Sequence, residues 1–154
     1  MEILVAVTTR QPKAVASTEG MLRTQETSPF HQAWVDRTKV DLDEMRSALR
    51  DGDLDRVGHL AEQNALRMHA SMLASDPPLL YWNAATVLVI QAVHALRAEG
   101  ESAWVTIDAG PQVKVLCPPG RGEAIAERLE AVAGVETVLR SRPGRGAHLL
   151  EGTT

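Results

Sequence analysis

Ala103-Trp104-Val105-Thr106-Ile107, Asp108-Ala109-Gly110-Pro111-Gln112 and Val113-Lys114-Val115-Leu116 form the stretch that decides the fold. The outer segments are rich in β-branched residues, which favour strands. The middle segment carries a glycine for unusual backbone angles and a proline that fixes a turn. The spacing predicts a hairpin or tight strand connection. Upstream, Asn83 can cap a helix over Ala84–Glu99 that Gly100 stops. Its Val87, Leu88, Ile90, Val93 and Leu96 cover more than one face, which predicts a central position. Before it, Leu54, Val57, Ala61, Ala65, Met68 and Met72 recur at helical spacing behind the cap Asp53, and Asp76-Pro77-Pro78 ends that helix. Ser28-Pro29 opens another helical stretch through Trp34, Leu42, Met45 and Leu49 to the break at Asp51-Gly52. Ser17 or Thr18 is the expected cap of a helix running through Glu19 to Thr24. Ile3–Val7 reads as an opening strand buried on both faces. Downstream, a helix over Gly122–Ala133 and a strand over Val135–Leu139 are expected, with Pro143–Thr154 a loose tail beyond an organised domain of 1–142. This order predicts an α+β fold with helices on one face of an antiparallel sheet.

Composition narrows the function classes. A chain of 154 residues fits one domain, and 44% hydrophobic with 23% charged residues excludes disordered and fibrous classes. Twenty acidic against 16 basic side chains, a net charge of −4, argues against a nucleic-acid-binding surface. The single Cys117 permits no intrachain disulfide and no cysteine metal cluster. The longest apolar run, Ala84–Ile90 with Ala92 and Val93, is broken by Gln91 and His94 and falls short of the roughly 20 residues a membrane helix needs. Met1–Thr9 lacks the parts of a signal peptide. A soluble cytoplasmic protein is expected.

Several constellations have ordinary readings. Asp51, Asp53, Asp55 and Glu62 fit four positions of a calcium-loop template, but Arg56 stands where the template requires glycine. No histidines among His31, His59, His69, His94 and His148 are paired for a helical zinc site, so no metal site is expected. Arg121, Arg128, Arg140, Arg142 and Arg145 read as solvated charge, and Cys117 as a core residue. Asp108 differs. At the end of a strand and followed by small residues, its carboxylate is held on a rigid support with room for a ligand. It can orient a hydroxyl, accept its proton or face a developing positive charge. Capping the Gly-Pro turn is the competing explanation, and the residues alone leave both open.

Three blocks carry a resemblance. Val15-Ala16-Ser17-Thr18-Glu19-Gly20-Met21 with Thr27-Ser28-Pro29 resembles the V-S-S-T-x-G-M…T-S-P stretch of the diphosphomevalonate decarboxylase family. Asn64–Ala70 with Pro77-Pro78-Leu79-Leu80-Tyr81-Trp82-Asn83 is similar to its next signature, and Ile107-Asp108-Ala109-Gly110-Pro111 to its F-D-A-G-P-N loop. The blocks keep the family order. The resemblance implies the C-terminal half of a galactokinase, homoserine kinase, mevalonate kinase and phosphomevalonate kinase (GHMP) type fold, with a ferredoxin-like antiparallel sheet. It implies ATP- and Mg2+-dependent phosphorylation of the tertiary hydroxyl of mevalonate diphosphate, with loss of phosphate and carbon dioxide giving isopentenyl diphosphate. The family's catalytic aspartate falls on Asp108, and the Ser-Thr loop beside the substrate diphosphate on Ser17 and Thr18. An aspartate with a reference pKa of about 3.9 is a weak base for an alcohol, so orientation and electrostatic stabilisation stand beside proton removal.

Two departures accompany the resemblance. Gln112 replaces the family's loop asparagine, and the glycine- and serine-rich phosphate loop of the family's N-terminal half does not occur in these 154 residues. The chain is therefore expected to be inactive alone and to need that N-terminal half, or to self-associate as a homodimer through an uncovered apolar surface. The alternatives are a non-catalytic dimerisation or ligand-binding domain, and a paralogue acting on mevalonate phosphate or mevalonate.

Overall fold

The computed structural model describes residues 1–146. Its elements run β1 (Glu2–Val7), α1 (Ser17–Thr27), α2 (His31–Asp51), α3 (Leu54–Leu73), α4 (Ala84–Ala98), β2 (Trp104–Thr106), β3 (Val113–Cys117), α5 (Gly122–Glu130) and β4 (Thr137–Ser141). The four strands form one antiparallel sheet in the order β2-β3-β1-β4. This is a β-α-β-β-α-β arrangement in which four helices fill the first crossover. The α+β architecture and the β2–β3 hairpin match the sequence reading.

Side-chain alternation explains the layering. Leu4, Ala6, Val105, Val113 and Val115 are fully buried and pack with Val89, Val93 and Leu96 of α4 and with Ile125 and Leu129 of α5. The other face of β1, carrying Ile3, Val5 and Val7, is only half-buried, so the strand is not covered on both sides as expected. The central role expected for α4 is also corrected. Its Val87 and Leu88 remain 41% and 40% exposed, because the helix touches the sheet through one face only. Asn83 does cap it, in a reciprocal capping box with Thr86.

Other boundaries move. Ala16, not Ser17 or Thr18, occupies the cap position of α1 and makes no side-chain cap bond, which leaves both hydroxyls inside the first turn. α5 stops at Glu130, and Val132 and Val135 pack on the core from irregular chain, so β4 begins at Thr137, just after Glu136 N–H donates to Val7 O at 2.8 Å. Residues 143–146 carry no regular structure, and the remainder of the expected tail lies outside the described residues.

α3 protects the sheet edge. Buried Glu62 accepts the otherwise unpaired Val105 N–H of edge strand β2 at 2.9 Å and both Arg97 Nη atoms at 2.8 Å. Burial pushes the Glu62 carboxyl up, but Arg97, the Val105 N–H and nearby His94 more than offset this and hold it below the usual carboxylate range. α2 is pinned to α3 by buried Asp41, which accepts from Arg37 and Arg67 at 2.7 Å each. Three of the four calcium-template carboxylates, Asp53, Asp55 and Glu62, are committed to partners within the fold. Asp53 caps α3 by accepting from Arg56 N–H, and Asp55 accepts from Ser102 and Trp104. Arg121, Arg128, Arg140 and Arg142 each pair with a glutamate.

Candidate active site

Asp108 lies two residues beyond the end of β2, in a loop anchored to α4 and to the exit of β1. Pro111 O accepts from Thr86 Oγ1 at 2.8 Å and from Thr8 Oγ1 at 3.3 Å, tying the loop to α4 and to the exit of β1. Gln112 Oε1 accepts the Thr8 N–H at 2.7 Å, and its Nε2 donates to Thr9 O. The amide that departs from the family asparagine therefore stitches backbone to backbone. Gly110 has φ +73, in the left-handed region, so this loop position requires glycine.

The fixed loop presents its carboxylate to solvent. Asp108 accepts the Gly110 N–H at a long 3.4 Å, yet its side chain is 75% exposed. The turn bond therefore coexists with an available oxygen. Lys114 Nζ, on β3, stands 2.6 Å from Asp108 Oδ1. Partial burial raises the Asp108 pKa, but the Lys114 ammonium, the Gly110 N–H and the charge of Lys13 outweigh it, and the carboxyl sits below its ordinary value. Such a group is ionised at neutral pH. It accepts a hydroxyl hydrogen bond well and removes a proton poorly.

Ser17 and Thr18 reach the same place from the start of α1. Together with Met68 and Met72 of α3 and with Asp108 and Ala109, they line a cleft of about 460 Å3. The structure thus brings all three sequence-predicted residues to one cavity. Asp108 also borders a second, mostly apolar hollow of about 560 Å3 between α2, α3 and the sheet, where Lys114, Met45 and Leu42 contribute.

An adjoining hollow lined by Lys13, Arg23 and Tyr81 brings a cation to the Ser17 hydroxyl. Lys13 Nζ donates to Ser17 Oγ at 3.3 Å and stands 5.7 Å from the Tyr81 ring centroid. Tyr81 donates its hydroxyl to Ala16 O at 3.3 Å, holding the first turn of α1. Burial pushes the Tyr81 phenol up, so it remains a donor at neutral pH. Helix N-termini favour anions, and two hydroxyls beside a lysine extend that preference to a phosphate-bearing ligand.

The sequence assigns no site role to Lys13, Lys114 or Tyr81, although Tyr81 stands within the second resemblance block. Strand alternation offered a signal for Lys114, since in the hairpin register it faces Thr106 and so points to the side from which Asp108 emerges. Nothing local marks Lys13. Among the described residues no three His, Cys, Asp or Glu side chains are grouped to hold a metal, and no helix is long and apolar enough to cross a membrane.

Comparison with known proteins matches residues 3–146 to the family described as mevalonate 5-diphosphate decarboxylase C-terminal domain. The phosphomevalonate decarboxylase of Haloferax volcanii is 32% identical over 111 residues, covering 71% of this chain and 34% of that protein. The diphosphomevalonate decarboxylase of Ganoderma lucidum is 29% identical over 131 residues, covering 80% and 33%. Among solved structures, MDDEF in complex with MVAPP, AMPPCP and magnesium superposes with a TM-score of 0.83 at 36% identity, over 90% of this chain and 42% of that one. The chain spans about a third of the length of the curated relatives it matches.

Proposed function

The chain belongs to the mevalonate 5-diphosphate decarboxylase C-terminal domain family, and from that premise we propose that it forms one wall of the active site of an ATP-dependent decarboxylase acting on mevalonate diphosphate. The observation that carries this reading is the convergence of Ser17, Thr18 and Asp108, distant in sequence, on one cleft. The hydroxyls of Ser17 and Thr18, with Lys13 beside them, bind the substrate's diphosphate at the start of α1. That anchoring places the tertiary hydroxyl at the Asp108 carboxylate.

Asp108 then acts by orientation and charge. It accepts the hydroxyl hydrogen bond, aims the oxygen's lone pair outward, and opposes the positive charge that grows on the tertiary carbon as its C–O bond weakens. Met68 and Met72 keep the floor of the cleft apolar, which strengthens that electrostatic effect. A bound ATP would supply the γ-phosphoryl group, the hydroxyl oxygen displacing ADP and its proton passing to solvent or the transferred phosphate. Loss of phosphate with the C–O bond and of carbon dioxide with the C–C bond, whose electron pair becomes the alkene, would complete the reaction. Nucleotide and magnesium are assigned to a companion N-terminal region carrying the glycine- and serine-rich loop, on the same polypeptide or another. The incompletely covered sheet face with Ile3, Val5, Val7 and exposed Leu139 is where that region docks.

A second substrate has a specific observation in its favour, the similarity to the Haloferax volcanii phosphomevalonate decarboxylase. One experiment addresses both. The chain, supplied with the family's N-terminal region, ATP and Mg2+, is assayed for phosphate and carbon dioxide release with mevalonate diphosphate and with mevalonate 5-phosphate. Release with the diphosphate, lost in Asp108→Asn, is the expected result. Release with the monophosphate alone reassigns the substrate, and release unaffected by Asp108→Asn refutes the proposed role.

A further inference from the structure

His69 lies within α3 and is 3% exposed. Its helix neighbours Met68 and Met72 line the cleft beneath Asp108. Its own ring is close enough to the backbone of Asp108 and Ile107 for both to raise its proton affinity. The ring is also tilted at 48° to that of Trp82, with centroids 4.9 Å apart. Trp82 in turn supports the loop, since a Cβ placed on Gly110 would stand 3.5 Å from its Cδ1. Buried His69 and partly buried Trp82 thus pack together beside the segment that carries Asp108.

This packing is costly in one respect. His69 Nε2 and Trp82 Nε1 are both buried without a hydrogen-bond partner. An unpartnered ring nitrogen destabilises a core, and a phenyl ring would fill similar space without that loss. What an imidazole adds is a polar edge against the Ile107–Asp108 backbone. Desolvation depresses the affinity of this ring for a proton, outweighing the opposing effects of the Asp108 and Ile107 backbone and of the Asp108 charge. The ring is therefore neutral and does not place a second cation beside Lys114.

We propose that His69 is a positioning residue for the decarboxylation site, its ring fixing the Ile107–Asp108 backbone and so the direction in which the Asp108 carboxylate meets the substrate hydroxyl. The inference deepens the functional reading above and rests on it for its catalytic consequence, while its structural half stands apart. His69 touches no reacting atom. Its effect belongs in turnover and not in substrate binding, because Ser17, Thr18 and Lys13 lie on a different element.

The test combines kinetics with NMR on the intact chain. In the enzyme reconstituted with its N-terminal region, His69→Phe is expected to lower kcat at least about tenfold with KM little changed, as a small misplacement of a reacting group does. His69→Gln or His69→Asn, which restores a polar edge, is expected to recover part of the loss. In the 154-residue chain, His69→Phe is expected to shift the amide resonances of Ile107, Asp108 and Gly110 and the carboxyl carbon of Asp108. Unmoved resonances in a folded His69→Phe chain overturn the proposal, as does unchanged kcat where Asp108→Asn abolishes turnover. If Asp108→Asn is itself silent, the functional reading falls and the resonances alone decide whether His69 holds the loop. If the Phe variant does not fold, the wild-type chain answers. A solvent-protected ring N–H of His69 showing a nuclear Overhauser effect to Ile107 or Asp108 supports the proposal, and its absence overturns it.

Discussion

Gly20 offers a test of how the first turn of α1 is held over the cleft. It is buried inside the helix at ordinary helical angles, so its backbone does not demand glycine. Space does. A Cβ at this position would run into the Tyr81 hydroxyl, while Tyr81 Cζ at 3.2 Å and Leu79 Cδ1 at 3.3 Å would only be tight. In Gly20→Ala, Tyr81 must swing away and release Ala16 O. Overpacking costs about 1–3 kcal/mol and the lost hydrogen bond about 1 kcal/mol, against a gain of about 1 kcal/mol in helix propensity. The net expectation is a loss of about 1–3 kcal/mol. The hydroxyl is the cause, so in a Tyr81→Phe background the same substitution should be neutral or stabilising by up to about 1 kcal/mol. Urea denaturation of the four chains gives the coupling directly, provided the slope m is constant. An equal cost of Gly20→Ala in both backgrounds would refute the reasoning and leave the motif glycine without this explanation.

Other perturbations act on charge. Lys114→Met removes the partner 2.6 Å from Asp108. With that ammonium gone, the Asp108 pKa should rise toward its ordinary carboxylate value. The acid limb of kcat/KM should move up with it, and a downward or absent shift counts against the pairing. Asp108→Asn should lower turnover at least roughly a hundredfold with little change in melting temperature, whereas a residue serving only the turn would leave turnover intact. Arg97→Met strands Glu62 in the core and should cost about 3 kcal/mol at neutral pH. The folded Glu62 pKa is depressed, so the stability it contributes is present above its unfolded value and lost as pH falls through the folded one. The gap between wild type and Arg97→Met should therefore narrow on acidification, which melting curves across that range will show.

The parts of the fold legible in sequence are those fixed by neighbours along the chain. Asn83 before an apolar run and the Gly-Pro turn between two β-rich runs signal a helix start and a hairpin because capping and turn bonds span only a few residues. What failed depends on contacts from elsewhere. Val87 and Leu88 look like core by type, but which side of α4 meets the sheet is decided by α5 and the strands. Ser17 and Thr18 look like caps, yet Ala16, whose carbonyl accepts the Gly20 N–H and the Tyr81 hydroxyl, holds that position. In the site, Asp108 stands out by its place at a strand end before small residues, with the resemblance adding its role. Ser17 and Thr18 come from the resemblance alone, and the meeting of all three at one cleft required the tertiary structure. Lys114 and His69 were less visible because their relevance lies in what they touch.

The ion pair at Asp108 also bears on which of its possible roles is chemically available. A carboxylate serves as a base for an alcohol only if its own proton affinity is raised, and burial beside apolar Met68 and Ile107 would do that. Here Lys114, Lys13 and the Gly110 N–H work in the opposite direction and prevail. The same ammonium that weakens the base keeps a full negative charge in place on a rigid loop. A fixed charge needs no reorganisation when a cation develops beside it. Its 75% exposure in this chain would let water screen that effect, so full strength requires the companion region to close over Asp108 and exclude solvent. On the proposed reading, the electrostatic role of Asp108 then depends on the docking of the companion region. A reconstituted enzyme whose N-terminal region binds without covering Asp108 should bind substrate and turn it over poorly.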